Sequence, residues 1–147
     1  MKNQPKTRPK ILVIEDDSND EALLMRQLKK ADLDEHIQII RDGRKALDLL
    51  SDADGELSAV FLDLNLPSVS GLQILKAIRS NEHIHNLPVI VMTSSNSPEQ
   101  LECCRRLGVS SYVQKPLTFS SFAKAFADAF QARRERSELV ALNNRER

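Results

Sequence analysis

The nine residues from Ala59 to Pro67, Ala-Val-Phe-Leu-Asp-Leu-Asn-Leu-Pro, constrain this chain more than any other stretch. An apolar run ends in a carboxylate at Asp63, and Pro67, four residues on, bars continuation of a regular segment. A short run of β-branched and aromatic residues bounded by a turn signal predicts a buried strand. Asp63 then stands at the strand's C-terminal end, where open α/β sheets place their ligand sites. A carboxylate there is costly unless a metal, a cation or hydrogen bonds compensate it. The rest of the chain offers candidates for all three.

Upstream, Lys10–Ile14 is a near-continuous apolar run, as expected for a strand covered on both faces, and it leads directly into Glu15-Asp16-Asp17. Residues 18–32 turn helical, with Ala22, Leu24, Met25 and Leu28 on one side and Asp17 or Ser18 as the cap. His36–Ile40 predicts a second strand, Asp42-Gly43 a turn, and Arg44 to about Ala53 a short helix. Downstream, Gly71 to about Ser80 is amphipathic through Leu72, Ile74, Leu75 and Ile78. Leu87–Met92 predicts a fourth strand ending at Thr93-Ser94-Ser95. Pro98 then opens a helix that stops at Gly108. Ser111–Gln114 is a short fifth strand before Lys115-Pro116, and a last helix runs from about Ser120 to Arg133. Five strands alternating with five helices predict an α/β, doubly wound parallel sheet.

The organisation predicted is a polar N-terminal arm over 1–9, one domain over 10–132 and a charged tail or helix extension over 133–147. A chain of 147 residues suits a single core. Its 21 basic and 21 acidic residues cancel, which argues against a polyanion as partner. No apolar run approaches the roughly 20 residues that span a bilayer, and the N-terminus lacks the apolar core of a signal peptide. The adjacent Cys103 and Cys104 make poor disulfide partners and read as packing residues. A reduced, cytoplasmic protein fits this pattern.

In a parallel sheet the strand ends share one edge, so Glu15, Asp16, Asp63, Thr93 and Lys115 converge although they are far apart in sequence. Paired carboxylates with oxygen-only character suit a hard divalent cation, Mg²⁺ foremost. A lysine and a threonine hydroxyl beside them would stabilise a transferring phosphoryl group, where positioning and electrostatics do most of the work. Asp63 itself can serve as the nucleophile, since carboxylates form aspartyl phosphates. Each piece has a plainer explanation: an acidic pair after a strand is often a helix cap, and Lys-Pro is often a turn. Agreement of all four strand ends, in order, favours the chemical reading.

With these residues in place, the chain resembles the receiver domains of two-component response regulators. The resemblance spans roughly residues 9–130 and rests on four stretches: Ile-Leu-Val-Ile-Glu-Asp-Asp (11–17), Leu-Asp-Leu-Asn-Leu-Pro-x-x-x-Gly (62–71), Val-Ile-Val-Met-Thr-Ser (89–94) and Tyr-Val-Gln-Lys-Pro (112–116). It implies a flavodoxin-like fold with strand order 2-1-3-4-5, an order that general fold rules already illustrate with a chemotaxis receiver. It also implies that Asp63 is the phosphoryl acceptor, fed by a histidine kinase or a small phosphodonor. Asp16 matches a direct Mg²⁺ ligand, Glu15 a ligand through water, and the Asn65 main-chain carbonyl a third protein ligand. Lys115 matches the partner of the aspartate and then of the phosphoryl group, Thr93 the switch hydroxyl, and Tyr112 the aromatic that swings inward. The peptide before Pro116 is expected to be cis. Ser94 is small enough to leave the acceptor accessible, and Asn65 and Ser95 sit where the lifetime of the acyl phosphate is tuned.

The same resemblance places the responsive surface on the fourth helix, fifth strand and fifth helix. No DNA-binding or catalytic domain is expected to follow, so the readout is a partner protein or self-association. Phe122, Phe126 and Phe130 lie at i, i+4 and i+8 and read as one core-facing stripe of the last helix. Phe119, Phe130 and the Leu139-Val140-Leu142 cluster are candidates for a homodimer interface. Ser18-Asn19-Asp20, the Asp63–Pro67 stretch, Thr93-Ser94-Ser95-Asn96 and the short tail are similar to stand-alone regulators paired with phytochrome-type histidine kinases. Two alternatives stand beside this reading. An aspartate-nucleophile phosphatase commonly carries a second aspartate two residues after the first, where this chain has Asn65. A receiver-like scaffold would need none of the acidic pair, Thr93 or Lys115.

Overall fold

The computed structural model describes residues 10–32, 36–53, 56–118 and 120–129. Five strands form one parallel sheet: β1 (Ile11–Ile14), β2 (Ile37–Ile40), β3 (Ala59–Asp63), β4 (Val89–Thr93) and β5 (Ser111–Gln114), in the order β2-β1-β3-β4-β5. Four helices are α1 (Ser18–Lys30), α2 (Gly43–Ser51), α3 (Gly71–Ser80) and α4 (Pro98–Arg106), and a fifth, α5, covers 120–129. This is the flavodoxin-like receiver fold expected from the sequence.

The central strands are apolar at every position because both faces are covered. Alternate side chains divide the interior into two cores. Leu12, Ile14, Val60, Leu62, Val89 and Val91 face α2, α3 and α4, through Ala46, Leu50, Ile74, Leu75, Ile78 and Cys104. Ile11, Val13, Phe61, Ile90 and Met92 face α1 and α5, through Leu24, Leu28, Phe122, Ala125 and Ala129. The Phe122 ring stacks on Phe61 with centroids 5.7 Å apart, and Phe126 packs beside it at 5.6 Å. The phenylalanine stripe is therefore core at these two positions; Phe130, Phe119 and the 139–142 cluster lie outside the described residues. Cys104 is buried in the first core, and burial pushes its thiol up to about 11, in keeping with a packing role.

Several element ends differ from the sequence reading, each for a local reason. The α1 helix stops at Lys30 rather than Asp32, because Asp32 takes a left-handed backbone conformation, φ 60°. The α2 helix starts at Gly43, one residue early, since the Asp42 side chain caps it by accepting from the Arg44 N–H; it stops at Ser51, two residues before Ala53. Strands β1 and β2 each begin one residue later than the apolar run. The β4 strand begins at Val89, because Pro88 has no N–H for the ladder, and it runs on to include Thr93. Gly108, φ 65°, ends α4 as expected, with its N–H donating to the Arg105 carbonyl. Arg79 pins the opposite end of the sheet by donating to the carbonyls of Leu107, His85, Leu87 and Gly108. No helix among the described residues is long and apolar enough to cross a membrane.

Gly71 is where the fold presses hardest on the site. The loop after β3 returns so closely that the Gly71 N–H donates to the Leu64 carbonyl at 3.1 Å. A Cβ at Gly71 would lie 2.5 Å from both the Asp63 carbonyl oxygen and the Leu64 Cα, which are backbone atoms. Gly71→Ala is expected to lower the unfolding free energy by about 1–3 kcal/mol, the usual cost of overpacking, read from the urea midpoint at unchanged slope.

Candidate functional site

The sheet's hydrogen-bond ladder runs past the strand ends and sets the site. The Glu15 N–H donates to the Ile40 carbonyl at 3.1 Å, Leu64 to Met92 at 3.1 Å and Lys115 to Thr93 at 2.8 Å. These bonds bring Glu15, Asp63, Thr93 and Lys115 to one edge. An open cleft of about 720 Å³ lies there, lined in part by Asp16, Asp20, Asp63, Asn65, Ser94 and Lys115. The Lys115–Pro116 peptide is cis.

Asp63 is 2 % exposed. Its Oδ1 accepts the Asn65 N–H at 2.9 Å, and its Oδ2 faces the Lys115 Nζ at 3.3 Å. Glu15 is completely buried; its Oε2 accepts the Asp17 N–H at 3.2 Å and its Oε1 lies 2.9 Å from Nζ of Lys115. The lysine also donates to Asp20 Oδ2 at 2.7 Å. One ammonium thus serves three carboxylates.

The balance of these charges is visible in their protonation. Burial pushes the Glu15 carboxyl up to about 8, reinforced by its contact with the Asp63 carboxyl and the charge of Asp63; Lys115 and the Asp17 N–H pull the other way. Burial alone would lower Lys115, but Asp20, then Glu15 and Asp63, hold its ammonium above the ordinary lysine range. The cluster carries more negative charge than one lysine neutralises.

Carboxylate oxygens of Glu15, Asp16 and Asp63 lie within 4.8 Å of one another. Glu15 Oε1 is buried and its near partner is the shared Lys115 ammonium at 2.9 Å. Hard oxygen donors converging at one point and a deficit of positive charge together fit a divalent cation of the Mg²⁺ or Mn²⁺ kind.

Thr93 and Tyr112 form a second chain of contacts, between uncharged groups. Thr93 is completely buried. Its Oγ1 accepts the Ser95 N–H at 3.0 Å and the Asn65 Nδ2 at 3.4 Å, and donates to Gln100 Oε1 at 3.4 Å. The Tyr112 hydroxyl donates to the Ser95 carbonyl at 3.0 Å, and burial raises its phenol above the ordinary range. The residues that the sequence assigned to the metal and phosphoryl site therefore fall on this edge or directly behind it. Sequence reasoning missed Asp20 and Gln100. Asp20 carried a signal: it sits one turn into the helix that Asp17 caps, through bonds to the Asn19 and Asp20 N–H groups, so it faces the same edge.

The profile of the response regulator receiver domain matches residues 11–127. This chain belongs to that family. It is 35 % identical over 118 residues to the probable methanogenesis regulatory protein FilR2 of Methanothrix harundinacea (strain 6Ac), covering 78 % of this chain and 76 % of that one. The bacteriophytochrome response regulator RtBRR superposes with a TM-score of 0.73 at 32 % identity, over 92 % of this chain and 95 % of its own. The Mn²⁺-bound form of response regulator Rcp1, a protein of Synechocystis, superposes with a TM-score of 0.68 at 29 % identity, over 80 % of this chain and 89 % of its own. The family performs a phosphoacceptor signalling role, and its members are signalling proteins rather than classical enzymes; they bind a divalent metal at the acidic site.

The raised Glu15 carboxyl has a measurable consequence in EDTA. Its folded value, about 8, exceeds the ordinary 4.5, so its contribution to stability is fully present below pH 4.5 and lost as pH rises through 8. Urea midpoints of the metal-free protein are expected to decline across that window, and Glu15→Gln is expected to flatten the decline.

Proposed function

We propose that this protein is a phosphorylation switch in which Asp63 accepts a phosphoryl group from a histidine kinase or a small phosphodonor. The observation that carries the reading is the meeting of a buried Asp63, an acidic pair and an ammonium 3.3 Å away at one sheet edge. Mg²⁺ would be held by Glu15 (through water), Asp16, Asp63 and the Asn65 carbonyl, and when bound it supplies positive charge to the phosphoryl oxygens. Asp63 Oδ1 is engaged by the Asn65 N–H, which leaves Oδ2 to attack phosphorus as the donor's own bond to phosphorus breaks. Lys115 pairs with the new phosphoryl oxygens. The Thr93 hydroxyl exchanges its long contact with Gln100 for one of them, and Tyr112 follows from behind. Ser94, at the cleft wall, leaves a path for the donor.

Such a group biases a two-state equilibrium by binding one conformation better. Thr93 leads directly to α4 through Gln100, and Tyr112 lies in β5; with α5, which the family resemblance adds, these form the responsive surface, read by a partner protein or by a second copy of the chain. The likeness to a regulator named for a bacteriophytochrome supports a phytochrome-type histidine kinase as donor.

Intact mass after incubation with acetyl phosphate and Mg²⁺ tests the acceptor. One added phosphoryl group is expected in the wild type, and none in EDTA, in Asp63→Asn or in Asp16→Ala; beryllium fluoride, a stable phosphoryl mimic, guards against rapid hydrolysis. Failure of the wild type to take either would favour a scaffold that is never phosphorylated. For self-association, light scattering on dilution is expected to show a dimer of the full chain that a chain truncated after residue 130 loses. A dimer surviving truncation would take Leu139, Val140 and Leu142 out of the interface.

A further inference from the structure

The shortest contact made by Lys115 is not to the acceptor. Its Nζ lies 2.7 Å from Asp20 Oδ2, 2.9 Å from Glu15 Oε1 and 3.3 Å from Asp63 Oδ2. Asp20 is also the most solvated of the three, with its side chain 24 % exposed against 0 % for Glu15 and 3 % for Asp63. Its backbone is fixed by the Asp17 cap, whose Oδ1 accepts the Asp20 N–H at 3.1 Å. An acid in the first turn of a helix is ordinarily explained by the helix dipole alone. A directed hydrogen bond to a lysine only 11 % exposed is more than the dipole requires.

Three carboxylates share one ammonium, and a phosphoryl group on Asp63 offers it more oxygens than the one Oδ2 contact it replaces, so Lys115 is drawn off another partner. Releasing Glu15 would leave a completely buried carboxyl oxygen without its partner, which is unfavourable. Asp20 can be released cheaply, because water reaches it and replaces the lysine. We propose that Asp20 is a positioning residue: it holds the Lys115 ammonium at the cleft mouth in the unmodified protein and is the partner exchanged for a phosphoryl oxygen when Asp63 is loaded. This rests on Asp63 being the acceptor. Asp20 thereby opposes loading, and its removal makes loading easier. It also places a negative charge where an anionic phosphodonor must enter, an effect that high salt screens and the exchange of lysine partners does not.

Asp20→Asn keeps the shape and removes the charge. Two measurements separate the possibilities. In metal-free, unphosphorylated protein, the ¹⁵N–¹H signal of the Lys115 ammonium is expected to shift or exchange faster with water in the variant, a change that depends on no phosphoryl transfer. At high salt, loading by acetyl phosphate is expected to be about three- to tenfold faster than in the wild type, the net scale of one intramolecular hydrogen bond. An unchanged lysine signal, or loading that is equal, slower or faster only at low salt, would overturn the proposal. A wild type that takes neither phosphoryl group nor beryllium fluoride would instead overturn the acceptor reading. The lysine signal would then still judge whether Asp20 holds Lys115.

Discussion

Everything at this sheet edge depends on the Lys115 ammonium. Glu15 and Asp63 are carboxylates with essentially no access to water, and such groups are tolerated only when a cation or hydrogen bonds replace their hydration. Lys115 touches both, and the N–H groups of Asp17 and Asn65 take up one oxygen on each side. The compensation is incomplete, as the raised Glu15 carboxyl records. A site built this way is short of positive charge at rest and responds to anything that supplies or redistributes it. This is the physical condition for a switch.

The fold makes that arrangement affordable in backbone terms. Because β1, β3 and β4 are covered on both faces, their ends are held rigidly, and the ladder continues through Glu15, Leu64 and Lys115. Functional side chains so placed are aimed by packing rather than by loop conformation. The contacts leading away from the site join uncharged groups: Thr93 reaches Gln100 on α4 at 3.4 Å, and the Tyr112 hydroxyl reaches the Ser95 carbonyl at 3.0 Å. Charged contacts hold Asp63 and neutral ones lead from Thr93 and Tyr112 toward the surface.

Much of this was legible in the chain. Apolar runs at β1, β3 and β4 announced themselves because strands covered on both faces have no polar alternation to confuse the reading. The alternation of strand and helix led to the parallel sheet, and parallel strands by themselves bring Glu15, Asp63, Thr93 and Lys115 together. Element ends were less legible. Asp32 terminates α1 through its backbone conformation, and Asp42 starts α2 through a side-chain cap, neither of which periodicity reports. Asp20 was missed because it acts through a partner 95 residues away, and Gln100 because its contact with Thr93 depends on how α4 packs beyond the end of β4.

By itself, then, the sequence determined which residue types stand at each strand end and which faces are apolar, since these follow from local pattern. Only the tertiary structure decided how one lysine is divided among three carboxylates, which of them stays in reach of water, and that Thr93 answers to α4. Those outcomes depend on distances of a few tenths of an ångström between groups from different elements. Electrostatic and hydrogen-bond energies vary steeply on that scale, and no periodicity along the chain encodes them.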